Sequence, residues 1–435
     1  MHRPRAIAVC ALAALLLATL PCAAPAQGFL HWPQSPRATA MGGTGAGLAA
    51  GPGAAFHSPA GIAWLDGTQL QVGARLAADG GSFHAFGEGD FDRDAGLAAA
   101  PTVFATHAIA RNLTGGIAIT SPWGIAVDWE RPDEFAGRFL TSGTRLSSLD
   151  ASLTLAWRAG ERWGLSIGPD IVYLRLDRDR LAHDPELSAL GGEGPIALAR
   201  AGYDVDGTAI GLVAGAFGTP RPGVSVGASF RAPTEVSLEG LVDFDIVAPE
   251  ELRAIVRGDR TIGEILDETY VDQSARLDVP LPYVLSLGAA WEPVPSITLA
   301  VDAQRIGWGD MEQLDFTPLG PAPADLVSLD WKDVWAWRIG AEVRRPGGLA
   351  LRLGYAREES PAPRAGVTPL FPDAEREALS GGASFRVRGI ELEAAYRLTV
   401  LDDREGLALP STTTAADGVY ESTEHDISIA VVRRF

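Results

Sequence analysis

Asp426-Ile427-Ser428-Ile429-Ala430-Val431-Val432-Arg433-Arg434-Phe435 closes the chain. Apolar Ile427, Ile429 and Val431 alternate with smaller or polar neighbours, as they must in a strand with lipid on one face and a lumen on the other. Outer-membrane barrels commonly finish on such a strand with an aromatic last residue, so the stretch predicts an all-β membrane barrel. The other end agrees. Residues 1–26 read as a secretory signal, with Arg3 and Arg5, an apolar run from Ala6 to Leu20, and Ala24-Pro25-Ala26 as cleavage site.

An exported chain bound for an outer membrane must lack a stretch of about 20 apolar residues that would arrest it in the inner one. None follows the signal, which leaves a periplasmic protein or a barrel whose membrane signal is spread over short strands. The 50 glycines and 11 tryptophans, with short alternating stretches throughout, favour the barrel. Both cysteines, Cys10 and Cys22, lie in the signal, so the mature chain has no disulfide or thiolate metal site. Pro21 spoils Cys22 as a lipoprotein acceptor. The formal charge is −19, and Lys332 is the only lysine among 36 basic residues, which speaks against nucleic acid as a partner. The acidity reads as solvated loops facing a lipopolysaccharide surface.

Alternation recurs at Leu70 to Leu76, Leu149 to Trp157, Ile297 to Ala303 and Ile390 to Leu398. A helix would scatter the intervening charges over every face, whereas a strand collects them on one. Tight connections occur near Arg111-Asn112, Ala159-Gly160, Pro220 to Gly223, Pro293 to Pro295, Pro346-Gly347 and Arg388-Gly389. Long polar ones lie around 79–98, 122–146, 176–205, 247–277, 308–332, 358–377 and 402–422. Six short turns and seven long loops in alternation join fourteen antiparallel strands over 68–435. The seventh, 223–246, is overlong, and Pro233 is expected to bend or divide it.

Residues 27–67 neither alternate nor form a tidy linker. Gly28-Phe29-Leu30-His31-Trp32, a run of small residues from Ala38 to Gly47, and Ala55-Phe56-His57-Ser58-Pro59-Ala60-Gly61-Ile62 read as a plug inside the lumen, with a flexible periplasmic arm as the alternative.

Phe56, Ser58, Pro59, Ala60 and Gly61 resemble the N-P-A-G-[LI] hatch motif of the long-chain fatty acid transporter family of outer-membrane proteins, with Ser58 where Asn is usual. Pro122-Trp123-Gly124 is similar to its P-F-G. Trp331-Lys332-Asp333, Arg338-Ile339-Gly340, Glu359-Ser360-Pro361-Ala362-Pro363 and Pro372-Asp373-Ala374-Glu375-Arg376 resemble its F-K-D, R-x-G, D-S-P-V-P and P-D-x-D-R series in order and approximate spacing. The resemblance runs from Arg37 to Phe435. It implies a fourteen-stranded barrel with an N-terminal hatch, set in outer-membrane lipid and lipopolysaccharide as a monomer inserted by the barrel assembly machinery. It further implies passive uptake of hydrophobic molecules: long-chain fatty acids first, aromatic or alkane hydrocarbons as the alternative.

The family's lateral exit at a kinked third strand points here to Gly115 and Gly116, which cannot seal a wall with side chains, and to Pro122, which cannot donate a ladder hydrogen bond. Ordinary strand-end residues are the competing reading. Leu252, Ile255, Val256, Ile265 and Leu266 offer an apolar capture surface, or else pack their loop onto the barrel. Lys332 is the candidate cation for a fatty-acid carboxylate, while Arg305 and Arg338 fit a lumen charge network. No enzyme is expected: His31, His57, His84, His107, His183 and His425 are scattered, without a nucleophile motif. Asp90-Phe91-Asp92-Arg93-Asp94 opens like a calcium loop, but Gly96 falls one place late and Pro101 stands where Glu is needed, so no metal or cofactor is expected. A structural or secretion-associated barrel is the remaining rival.

Overall fold

The computed structural model describes residues 28–86, 89–93, 96–187, 195–406 and 417–435. The signal segment, and part of the Asp90 to Gly96 stretch, lie outside them. Fourteen antiparallel strands close into one barrel. They are β1 (Thr68–Ala85), β2 (Leu97–Ala110), β3 in two arms (Leu113–Thr120 and Gly124–Asp128), β4 (Gly143–Ala159), β5 (Trp163–Ala182) and β6 (Ala199–Arg221). There follow β7 in two arms (Val224–Arg231 and Thr234–Ile246), β8 in two arms (Gln273–Leu281 and Tyr283–Val294), β9 (Ile297–Gly307), β10 (Val334–Arg344), β11 (Leu349–Glu358), β12 (Arg376–Val387), β13 (Ile390–Leu401) and β14 (Gly418–Arg434). The ring closes where β14 pairs with β13 on one side and β1 on the other.

Each wall strand obeys the alternation that its sequence carries. In β14, Ile427, Ile429 and Val431 face outward about half exposed, while Asp426, Ser428 and Ala430 are buried. Tight turns follow at one rim and long loops at the other. Pro233 divides the seventh strand as expected, because it lacks the N–H that a ladder needs. Pro282 does the same between the arms of β8. The strands overrun their expected ends on the loop side: β1 continues to Ala85 and β6 begins at Ala199. There the outer face is wet, and pairs such as Arg175–Asp204 at 2.8 Å replace the apolar signal.

The lumen is filled. Residues 28–64 run inside it as an irregular chain with two short helices, α1 (Pro36–Ala40, capped by the Ser35 hydroxyl) and α2 (Ala54–His57), and a 3-10 turn over Pro59–Trp64. Many side chains that face this segment from the wall are polar or absent, though Phe217 packs on Trp64 at 4.9 Å. Asp302 on β9 accepts from the backbone N–H groups of Gly45 at 2.8 Å and Ala46 at 2.9 Å. Arg37 pairs with Glu342 of β10 at 3.0 Å, and Gly42 N–H donates to Ser380 Oγ of β12 at 3.1 Å. A backbone that cannot form a helix or sheet of its own must find partners for its amides, and the wall supplies them.

Close approach requires glycine on the wall. A Cβ on Gly354 would run into the Gly42 backbone, and one on Gly227 into the Ala46 carbonyl. Around the hatch a buried ion network completes the filling: Glu358 bridges Arg338 at 2.9 Å and Arg397 at 3.2 Å, and Arg352 meets Glu342 at 2.6 Å. Because the clash at Gly354 involves backbone, Gly354→Leu is expected to dislodge the hatch while the barrel still assembles. Planar-bilayer recording should then show ion conductance well above that of the wild type, and an equally silent variant would count against the hatch as the seal.

Candidate functional site

The wall is interrupted in β3. Its first arm pairs with β4 as far as Thr120↔Asp150, and its second resumes at Gly124↔Ser147, one residue out of step. Ser121-Pro122-Trp123 forms the break. On the other side, β2 pairs with β3 only up to Val103↔Ile119, so Leu97 to Thr102 of β2 have no ladder partner on that edge among the described residues. The result is a window between β2 and the second arm of β3, bounded above by the bridge Arg93↔Trp129.

The N-terminal segment comes up beneath this break and pairs with it. His31 N–H donates to Pro122 O at 2.6 Å, and Gly124 N–H donates to Phe29 O at 2.8 Å. Gln34 accepts from Ser121 N–H at 3.2 Å. These bonds hold Phe29 in a cage of rings from distant parts of the chain. Trp308 lies 4.8 Å away edge to face, Phe371 at 5.9 Å, Trp331 at 6.0 Å and Trp123 at 6.2 Å. All five rings are 5% exposed or less. Burial of one phenyl ring contributes about 1.5–3 kcal/mol, and favourable ring pairs roughly 0.5–1.5 kcal/mol each.

Asp373 ties the start of the segment down. It accepts from Gly28 N–H at 3.2 Å and from the Ser360 hydroxyl, and it pairs with Arg376. Ser360 and Asp373 belong to two of the motifs noted above, so those motifs converge on the anchor of the N-terminal segment. Arg376 is also shared with Glu424 at 3.4 Å.

The residues singled out in the sequence fall in different places. Phe56 packs on Trp32 at 5.3 Å with Arg231 over its ring at 4.9 Å, and Ser58 Oγ donates to Ala46 O at 2.9 Å. Pro59, Ala60 and Gly61 start the 3-10 turn and are buried. Gly115 and Gly116 sit in regular ladders, opposite His107 and Thr106 on β2 and opposite Leu155 and Thr154 on β4. Ile62 of the hatch stands directly behind Gly116, and a groove of about 500 Å³ lies outside, lined by Ile109, Gly115, Leu153 and Ile167. Pro122, by contrast, is in the break itself.

Lys332 is exposed, with only its backbone N–H engaged, to Pro361 O at 3.0 Å. Its neighbour Trp331 is the member of that motif in the cage. Arg305 pairs with Asp333 at 3.3 Å, and Arg338 belongs to the buried network. In the outer loops Leu252 and Leu266 are buried under α3 (Glu250–Arg253) and α4 (Ile262–Thr269), whereas Val256 is exposed and Ile255 and Ile265 are partly so. Sequence reading missed Phe29, Trp308 and Phe371 as cage residues.

A lipid-embedded barrel with a plugged lumen, an aromatic cage under its loops and a break in its wall defines an outer-membrane protein that handles hydrophobic solutes. Comparison with known proteins agrees. The sequence profile of the family described as outer membrane protein transport protein (OMPP1/FadL/TodX) matches residues 15–421, and the chain belongs to that family. It is an outer-membrane transporter of hydrophobic small molecules, not an enzyme. The long-chain fatty acid transport protein of Salmonella typhi is 23% identical over 305 residues, 68% of each chain. Among solved structures, a Pseudomonas aeruginosa FadL homologue superposes with a TM-score of 0.83 at 18% identity, covering 94% of this chain and all of the other. The Pseudomonas putida toluene transporter TodX superposes at 0.70 and 17% identity, again covering 94% and 100%.

Within the hatch, His57 accepts from Gln34 N–H at 3.4 Å and packs edge to face on Phe56. Burial, then Arg338 and Arg231, push its pKa from 6.5 down to about 3. Burial, reinforced by Arg75, Arg376 and Arg397, moves His31 the same way. The unfolded chain therefore takes up protons that these two folded histidines refuse, and their contribution to stability falls as pH drops below 6.5, continuing to about 3 for His57. Protease resistance of the hatch should follow that slope, and His57→Gln, which keeps an acceptor but cannot titrate, should flatten it. An unchanged slope in the variant would exclude His57 as its source.

Proposed function

We propose that the cage around Phe29 is the substrate site, that the Phe29 ring holds the ligand's place in the resting protein, and that substrate leaves sideways through the window at Pro122. The observation that carries this reading is the position of the Phe29 ring: it is enclosed by four other aromatic residues, and its own carbonyl is bonded to the wall at the break. A hydrophobic molecule arriving from the loops competes with a tethered phenyl group for the same apolar surface. Its entry removes Phe29 from the cage and loosens the pairing that closes the window. No energy source is needed, because transfer from water to the cage and then to lipid is downhill for an apolar solute.

The cage supports monoaromatic hydrocarbons over long-chain fatty acids. Its resident is a single six-membered ring, and the cation linked to it through Asp373 is Arg376, already divided between two carboxylates. A fatty-acid carboxylate buried there would lack a counter-charge. Lys332, the expected cation, is exposed. The likeness to long-chain fatty acid transport proteins favours the second reading, in which an acyl chain occupies the same cage.

Cells with and without the gene should be compared for uptake of labelled toluene and labelled oleate. Loss of toluene uptake without the gene supports the first reading, loss of oleate uptake alone supports the second, and no loss of either removes transport through this site. Phe29→Ala takes the internal competitor away and is expected to raise toluene affinity about tenfold, since roughly 1.4 kcal/mol of competition is a factor of ten; calorimetric titration reads this. Ala100→Trp, at a buried position on the unpaired stretch of β2, should leave toluene binding to purified protein intact but slow uptake severalfold. Normal uptake by that variant would move the exit elsewhere.

A further inference from the structure

Buried tryptophans in the barrel interior mostly find acceptors for their indole N–H. Trp123 donates to Asp150 at 3.1 Å, Trp129 to Pro369 O at 3.2 Å and Trp32 to Gly43 O at 3.2 Å. Trp308 and Trp331 are the exceptions. They stand edge to face, 5.0 Å between centroids, and form one side of the Phe29 cage. They are 1% and 3% exposed, and neither Nε1 meets an oxygen or nitrogen acceptor.

An indole has one donor and no acceptor, so a buried one that goes unanswered retains its full desolvation cost. Phe29, a hydrocarbon ring, cannot answer it. Gly28 sits against the same two rings, where even one added carbon would strike Trp331. A carboxylate would answer the N–H groups but would bring a charge for which Arg376 has no capacity left. A neutral oxygen acceptor carried on an aromatic ring in place of Phe29 would offer these donors a partner and needs no counter-ion.

We propose that the cage selects neutral aromatic molecules bearing a hydrogen-bond acceptor, aryl ketones being the simplest class, over the bare hydrocarbon of the same shape, with Trp308 and Trp331 as the selecting donors. This rests on the reading that ligand replaces Phe29.

The test uses acetophenone and α-methylstyrene, which share a shape and differ in C=O against C=CH₂. Full-length protein in lipid nanodiscs is equilibrated with each, and bound ligand is measured by headspace gas chromatography after subtracting partition into empty nanodiscs. The wild type is expected to favour acetophenone about fivefold to tenfold, the worth of one net hydrogen bond. Trp308→Phe with Trp331→Phe keeps an aromatic ring at each place but removes both donors and some packing area, so affinity for both ligands shifts while the ratio of acetophenone to α-methylstyrene bound should fall to about one. Equal wild-type affinities, or a preference that survives in the double variant, would overturn the proposal while leaving the Phe29 reading standing. Saturable binding of neither ligand would defeat both. Should the double variant fail to fold, the wild-type comparison still decides.

Discussion

Two hydrogen bonds, from His31 N–H to Pro122 O and from Gly124 N–H to Phe29 O, close a wall that its own strand leaves open. In a bilayer core each unpaired backbone group costs several kcal/mol, because no water is there to replace the lost partner. β3 breaks at Ser121-Pro122-Trp123, and the segment threaded through the lumen supplies partners for Pro122 and Gly124 from inside. Such a repair works only if the segment is held at a fixed height. That requirement accounts for Asp373 holding Gly28, Asp302 holding Gly45 and Ala46, and the wall glycines against which the hatch backbone rests.

The same requirement explains the chemistry of the lumen. A barrel of this width would hold water if its core were empty. The hatch displaces it with small residues, so the inward charges of the wall lose their solvent and must satisfy one another. Glu358 between Arg338 and Arg397, and Glu342 between Arg37 and Arg352, are those solutions. Arg37 belongs to the hatch, so the Glu342 set joins wall and hatch, whereas the Glu358 set lies wholly within the wall. Above this polar layer the interior turns aromatic, and the boundary between the two layers lies near the break in β3.

Much of the wall was legible in the sequence. Leu149 to Trp157 and Ile427 to Val431 alternate because one face is lipid, and the spacing of six turns and seven loops gave the strand number. Pro233 announced the bend in β7. The strand ends above the membrane were not legible, since Arg175, Asp177 and Asp204 there pair across strands in water and carry no apolar rhythm. The hatch motif at Phe56 to Gly61 was visible through its resemblance to N-P-A-G-[LI], in a segment that does not alternate. The cage was not, because Phe29, Trp123, Trp308, Trp331 and Phe371 come from segments far apart, each on irregular backbone with no period to read. Lys332 drew attention as a lone lysine, yet the side chain that points into the protein at that motif is Trp331. A signal did exist for the cradle: Gly227, Gly288, Gly340 and Gly354 all fall at lumen-facing places of their strands, where a wall without a plug would have no reason to shed its side chains.

Phe29 joins the two halves of the mechanism because one residue carries both contacts. Its ring is the cage's resident, and its carbonyl is the acceptor for Gly124 at the break. On the proposed reading, a ligand that takes the ring's place drives Phe29 out of its packed rotamer, and in these buried surroundings the backbone that carries the carbonyl shifts with it. On that reading, displacement of the ring weakens the bond at the break, beside the window proposed as the exit. On the proposed reading, entry and exit are coupled with no moving domain: the energy that ejects Phe29 is the ligand's own burial, of the same order as the phenyl burial it replaces. A ligand much smaller than a phenyl group would bind without clearing the cage and leave the window shut. The size of that one side chain thus sets a lower bound on what the barrel can pass.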